Sequence, residues 1–157
     1  MAISTLILLC SILSPNLMKS MAHQIIRDGE TITSAGEEFE LGFFSPSGST
    51  KRYLGIWYKK ISNGTVIWVA NRDAPVMNTS GILRVSDQGL SLQTGNEIIW
   101  SAKTSILMKN PVARLLGSGN LVVRDDDHYM NNTEDFVWQS FDSVSYTHLT
   151  LPTIYSV

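Results

Sequence analysis

The sequence predicts an all-β domain, and three observations carry the prediction. Between residues 30 and 142, short runs of aromatic and β-branched residues are separated by turn signals. No window of 12 residues keeps a helical period after residue 30. An apolar-apolar-Trp run recurs three times, as Val66-Ile67-Trp68, Ile98-Ile99-Trp100 and Phe136-Val137-Trp138, with tryptophans 32 and 38 positions apart. Each follows its own strand and turn: Leu54-Gly55-Ile56, then Gly89-Leu90-Ser91-Leu92, then Gly119-Asn120-Leu121-Val122. One such unit cannot bury its face alone, but three around an axis share a core of Trp68, Trp100 and Trp138.

The elements follow in order. Residues 1–22 hold an apolar run from Ile3 to Leu13, too short for a bilayer, which needs about 20 residues. The run fits the core of a secretory signal, with Ser20-Met21-Ala22 as the small-x-small cleavage site. No basic residue precedes it and Lys19 follows it, so a buried N-terminal helix is the alternative. Phe39–Phe44 reads as a strand ending at Ser45-Pro46-Ser47-Gly48. Tyr53–Ile61 is a second, stopped by the hairpin signal Asn63-Gly64 and followed by Thr65–Val69. Further strands are expected at 81–86, 90–93, 97–102, 112–116, 120–124 and 136–141. After Asp142 comes a stretch without charge, 143–157, either a short apolar strand or a read-through tail unrelated to the domain. The second reading is favoured, which divides the chain into 1–22, 23–142 and 143–157.

Composition narrows the function classes. The chain has 157 residues, 17% charged against about 25% in an average globular protein, and a net charge of −2. That balance gives no broad electrostatic footprint for nucleic acid. Cys10, the single cysteine, lies within the expected signal, so an exported domain would hold itself together without disulfides or thiolate-bound metal. Neither a cofactor nor a membrane span is expected of it.

Five segments occur together in one order: GEEFELGFFSPSGSTKRYLGIWYKKI, TVIWVANRDAP, SGILRVSDQG, NPVARLLGSGNLVVRD and FVWQSFD. Over residues 25–142 the chain resembles the bulb-type (mannose-binding) lectin domain of plant S-locus glycoproteins and S-domain receptor-like serine/threonine kinases. The resemblance implies a β-prism II of three four-stranded antiparallel sheets with pseudo-three-fold symmetry. It further implies an extracellular recognition module that takes part in self-recognition or defence signalling, binding a carbohydrate or peptide ligand or a partner receptor. The alternative is a free secreted lectin for mannose-type glycans. Members continue past WQSFD with Tyr-Pro-Thr-Asp, whereas this chain departs at Ser143. The kinase domain of the resembled receptors has no counterpart in these segments, so no enzyme is expected.

Bulb-type lectins hold mannose with the pattern Q-x-D-x-N-x-V-x-Y, whose alternate residues share one face of a strand. On 116–124 only Asn120 and Val122 match, because Leu116, Ser118 and Arg124 replace Gln, Asp and Tyr. On 85–93 only Asp87 matches, and Tyr53–Trp57 keeps none of the pattern. Each lost hydrogen bond removes about 0.5–1.5 kcal/mol net, so the mannose sites read as degenerate. Asn120 and Asp87 then serve as ordinary turn residues.

Other motifs are weaker. Asn63-Gly64-Thr65, Asn78-Thr79-Ser80 and Asn131-Asn132-Thr133 are glycosylation sequons at predicted turns, and at least two are expected to carry glycans. Asp125-Asp126-Asp127 fails as a calcium loop, since its sixth and twelfth positions are Met130 and Phe136. His23, His128 and His148 lie near a terminus, in a loop and in the tail, and no nucleophile setting accompanies them. Lys51-Arg52 and Lys59-Lys60 flank an aromatic strand and read as strand-edge charge in preference to a ligand face.

Overall fold

A computed structural model describes residues 25–61, 64–126 and 136–141. The expected signal with Cys10, the tail 143–157, and the sequon asparagines Asn63 and Asn131 lie outside the described residues.

Eleven strands are present among the described residues: β1 (Ile25–Arg27), β2 (Thr31–Thr33), β3 (Phe39–Phe44), β4 (Tyr53–Tyr58), β5 (Val66–Val69), β6 (Gly81–Ser86), β7 (Gly89–Thr94), β8 (Glu97–Lys103), β9 (Pro111–Leu115), β10 (Leu121–Asp125) and β11 (Trp138–Gln139). They form three antiparallel sheets, ordered β2-β3-β4-β5, β1-β6-β7-β8 and β11-β10-β9. This is the all-β prism expected, with three strands among the described residues of the third sheet where four are expected. Two strands, β1 and β2, were not anticipated; they are three residues each and flank the turn at Asp28-Gly29. The expected strand at 53–61 ends at Tyr58, and that at 136–141 contracts to Trp138–Gln139.

The three sheets repeat one register. Ile56 pairs with Trp68, Leu92 with Trp100, and Val123 with Trp138. In the first two sheets a bulge follows at once, between Ile56 and Trp57 and between Leu92 and Gln93. The inward residues of the central strands, Leu54 and Ile56, Leu90 and Leu92, Leu121 and Val123, are at most 2% exposed. Alternation at period two sends their neighbours outward, so β4, β7 and β10 occupy equivalent places.

The indoles of Trp68, Trp100 and Trp138 meet where the sheets converge. Their centroids are 5.8, 6.1 and 6.1 Å apart and their planes cross at 65–78°. Each ring presents its positive edge to a neighbour's negative face, an arrangement worth about 0.5–1.5 kcal/mol per pair beyond area burial.

Polar side chains tie each strand end to its sheet. Asn71, 2% exposed, accepts from the Leu54 amide at 2.8 Å and donates to the carbonyls of Arg52 (3.2 Å) and Ala74 (3.0 Å). Ser140 plays the same part in the third sheet, accepting from the Leu121 amide at 2.9 Å. Arg52, read from sequence as strand-edge charge, instead reaches inward: it donates from Nε to Asp28 at 2.7 Å and also contacts Ser45 and the Phe43 carbonyl. The Asp28 side chain is 3% exposed, and hydrogen bonding to it raises the Arg52 guanidinium above its ordinary pKa against the opposing effect of burial.

Candidate functional site

The outward faces of β4, β7 and β10 carry three different chemistries. On the first sheet the face is filled by its own aromatic rings. Gly42 and Gly55 sit opposite one another, with the Trp57 ring over Gly42 and the Phe44 ring over Gly55. A Cβ on Gly55 would come within 2.7 Å of Phe44 Cε1, so the glycines are what let the rings lie flat on the sheet. Trp57 Nε1 donates to Glu40 at 3.2 Å, which pins the indole in place.

The third sheet's face is occupied by hydrogen bonds of the fold. Asn120 Oδ1 accepts from Ser140 Oγ and the Phe141 amide, both at 3.0 Å, while Nδ2 donates to Gln139 Oε1 at 2.9 Å. Val122 is 1% exposed between its cross-strand partners Arg114 and Gln139. Arg124 pairs with Asp126 at 2.8 Å.

The second sheet leaves its face open. A groove of about 380 Å³ runs along β7, bounded by β6 and β8 and, at one edge, by β1. Ile25 and Ile98 are its apolar surface side chains, and Val85 and Leu90, which pack into the core, also border it. Its hydroxyl and amide groups come from Ser86, Gln88, Ser91, Gln93 and Ser101, and its charges from Arg84 and Lys103. The register explains the grouping. Arg84, Ser91 and Ser101 form one row across three strands, and Ser86, Gly89 and Lys103 form the next. Gln93 Nε2 donates to Ser91 Oγ at 3.0 Å, which orients the central hydroxyl.

Gly89 lets β7 and β8 come close together along this groove. Its φ is +116°, and a Cβ there would stand 2.1 Å from the Ala102 carbonyl oxygen. Only glycine combines that backbone angle with so close an approach of β8 to β7.

The sequence-predicted residues are not gathered at one place. Asp87 lies at the exposed tip of the β6–β7 turn, where its carbonyl accepts from the Met108 amide at 2.9 Å, and it is not among the groove residues. Asn120 and Val122 belong to the third sheet. Asn78 is exposed ahead of β6, its Oδ1 accepting from the Ser80 amide at 2.9 Å and from the Ser80 hydroxyl. The groove residues Arg84, Ser91, Gln93, Ser101 and Lys103 were missed. Positions 89, 91 and 93 do fall on the pattern's alternation, but the contributions of β6 and β8 depend on strand register, which no local motif displays.

Among the described residues no group of three or more His, Cys, Asp or Glu side chains is placed to hold a metal. No helix there is long and apolar enough to cross a membrane.

The family profile described as D-mannose binding lectin (B_lectin) matches residues 65–155. An S-locus-specific glycoprotein of Brassica oleracea is 42% identical over 142 residues, covering 87% of this chain and 32% of that protein. The G-type lectin S-receptor-like serine/threonine-protein kinase RKS1 of Arabidopsis thaliana is 45% identical over 135 residues, covering 82% of this chain and 16% of that one. The receptor-like serine/threonine-protein kinase SD1-8 of the same plant is 43% identical over 134 residues, with 83% and 15% covered. The chain thus spans a third or less of the length of these curated relatives. With the matching profile, the three-sheet prism and the repeated tryptophan register in agreement, the chain belongs to the D-mannose binding lectin family.

Proposed function

We propose that the chain is an extracellular recognition module of the S-domain type, and that it binds a glycan in the groove of its second sheet. The observation that carries this reading is the open row Gly89-Ser91-Gln93, placed on the strand positions that bulb-type lectins use for sugar. Hydroxyls and amides on one face, over apolar side chains, complement a pyranose ring with its hydroxyl rim and apolar C–H face. The other two faces are taken up by aromatic rings and by fold-holding hydrogen bonds, which favours this groove over its two equivalents.

Residues 1–22 are proposed as the export signal and 143–157, which departs from the expected Tyr-Pro-Thr-Asp continuation although the family profile runs on to residue 155, as a tail unrelated to the domain. Asn63, Asn78 and Asn131 are proposed as glycan acceptors on the exported protein, and a partner receptor remains part of the proposal. The kinase activity carried in the names of two relatives is not proposed for this chain, which aligns with 16% and 15% of them.

The test is a glycan array probed with the folded full chain and with a Ser91→Trp variant that fills the groove. Binding that is lost in the variant, with unchanged thermal stability, supports the reading. A folded chain that binds no glycan, or a variant that binds as well as the parent, overturns it. Retention on mannose resin that free mannose displaces, and that Asn120→Ala weakens at unchanged stability, would favour the free mannose lectin instead.

A further inference from the structure

We propose that the ligand of this groove is a carboxylated saccharide, a uronate, whose carboxylate is received by Arg84 and Lys103. The proposal rests on the glycan reading above and adds the charge of the sugar.

The groove's ionic character is one-sided. Arg84 and Lys103 line it, and no aspartate or glutamate does. Among the described residues neither cation forms an ion pair or a side-chain hydrogen bond to the protein. A guanidinium and an ammonium are donors without acceptor capacity. They cannot take the proton of a sugar hydroxyl, so the group they complement best is an acceptor-only anion. The planar guanidinium of Arg84 matches the two oxygens of a carboxylate in particular.

The site has therefore reversed the polarity of a mannose site. In the bulb-type pattern an aspartate sits on the sugar-facing side and accepts protons from neutral hydroxyls. Here Asp87 lies in the exposed hairpin turn and is not among the groove residues, while the strands flanking the central one carry cations. Arg84 stands beside Ser91 on one side, and Lys103 stands beside Gly89 on the other. They are two strands apart, roughly 10 Å between backbones, with the hydroxyls of Ser91 and Ser101 in the same stretch of surface. That spacing suits one charged substituent held at the edge of a ring whose remaining hydroxyls meet serines.

Arg84 also has a counterpart in the third sheet. It lies opposite Ser91 in the second sheet as Arg114 lies opposite the equivalent Val122. The Nε of Arg114 is buried with no hydrogen-bond partner among the described residues. An arginine thus recurs at one register position in two of the three faces, and in the second it stands beside the hydroxyl-lined groove.

The experiment titrates the full chain by calorimetry with a galacturonate trisaccharide, its fully methyl-esterified form and methyl mannoside. The acid is expected to bind, with affinity falling as salt is raised. The ester, which keeps the shape and loses the charge, is expected to bind about tenfold more weakly or worse. Arg84→Gln and Lys103→Gln should each weaken the acid by a similar factor and leave the ester unchanged, with unaltered tryptophan emission reporting an intact prism. Equal binding of acid and ester, or variants that bind the acid as the parent does, overturns the uronate proposal. If a neutral sugar binds and Ser91→Trp abolishes it, the glycan reading survives and the charge proposal alone falls. If the folded chain binds no saccharide, both fall.

Discussion

Replacing Asn120 by alanine should loosen the third sheet more than it affects any ligand. Strand β11 is held to β10 by only two register pairs, Val122 with Gln139 and Val123 with Trp138. The Asn120 side chain adds three hydrogen bonds to that segment, to Gln139, Ser140 and Phe141. At about 0.5–1.5 kcal/mol each they sum to roughly 1.5–4.5 kcal/mol, and sharing of one oxygen by two donors argues for about 2–3 kcal/mol. Ser140, 6% exposed, would also lose the acceptor of its hydroxyl proton. For a domain of this size each kcal/mol moves the melting temperature by about 4 °C, so a fall of about 8–12 °C is expected. Asn120→Asp keeps the acceptor for Ser140 and Phe141 and loses the donor to Gln139, and should cost about a third as much. The assay is thermal unfolding followed by near-ultraviolet circular dichroism and tryptophan emission, since Trp138 rides on β11. A melting temperature within about 2 °C of the parent for Asn120→Ala would refute the reasoning and return Asn120 to a role in ligand contact.

Two other perturbations follow from the geometry. Gly89→Ala places a methyl 2.1 Å from the Ala102 carbonyl at φ +116°, and should destabilise by about 3 kcal/mol or more in denaturant titration. Gly95→Ala, at φ +57° with nothing within 4 Å, should cost only about 1 kcal/mol, and equal losses would contradict the account of the close approach at Gly89. Asn78 presents an exposed amide whose oxygen already meets the Ser80 amide and hydroxyl, so the chain expressed through a plant secretory pathway should carry a glycan there. Mass spectrometry after endoglycosidase treatment checks this: Ser80→Ala should abolish modification of Asn78, and an unmodified Asn78 in the parent chain would disprove it.

The threefold repeat is legible in sequence because it is written in strong, evenly spaced signals: an indole every 30 to 40 residues, each behind two apolar neighbours. The strands β1 and β2 are not, because three residues are too few to display an alternation, and they form only against partners that come later in the chain. Arg52 looks from sequence like a charge left at a strand edge. Its true partner, Asp28, is 24 residues earlier and brought near by folding. Asn120 satisfies the sugar pattern letter for letter, yet its hydrogen-bonding capacity is used on β11. The groove shows the same limit from the other side. Ser91 and Gln93 can be found by counting along one strand, but Arg84, Ser101 and Lys103 join them only through pairing across the sheet.

The pairing of β1 with β6 has a consequence in time. Ile25 finds Arg84 as its partner, 84 − 25 = 59 positions further along, whereas β2–β5 are consecutive and can pair as soon as Val69 is made. At about 5–20 residues per second, the first strand of a growing chain waits roughly 3–12 seconds for its partner. Throughout that interval it offers an unpaired edge, a template for mispairing with neighbouring chains. Because Ile25 also borders the groove, the groove is complete only once the first strand of the domain has met a partner made much later, although its other strands are consecutive.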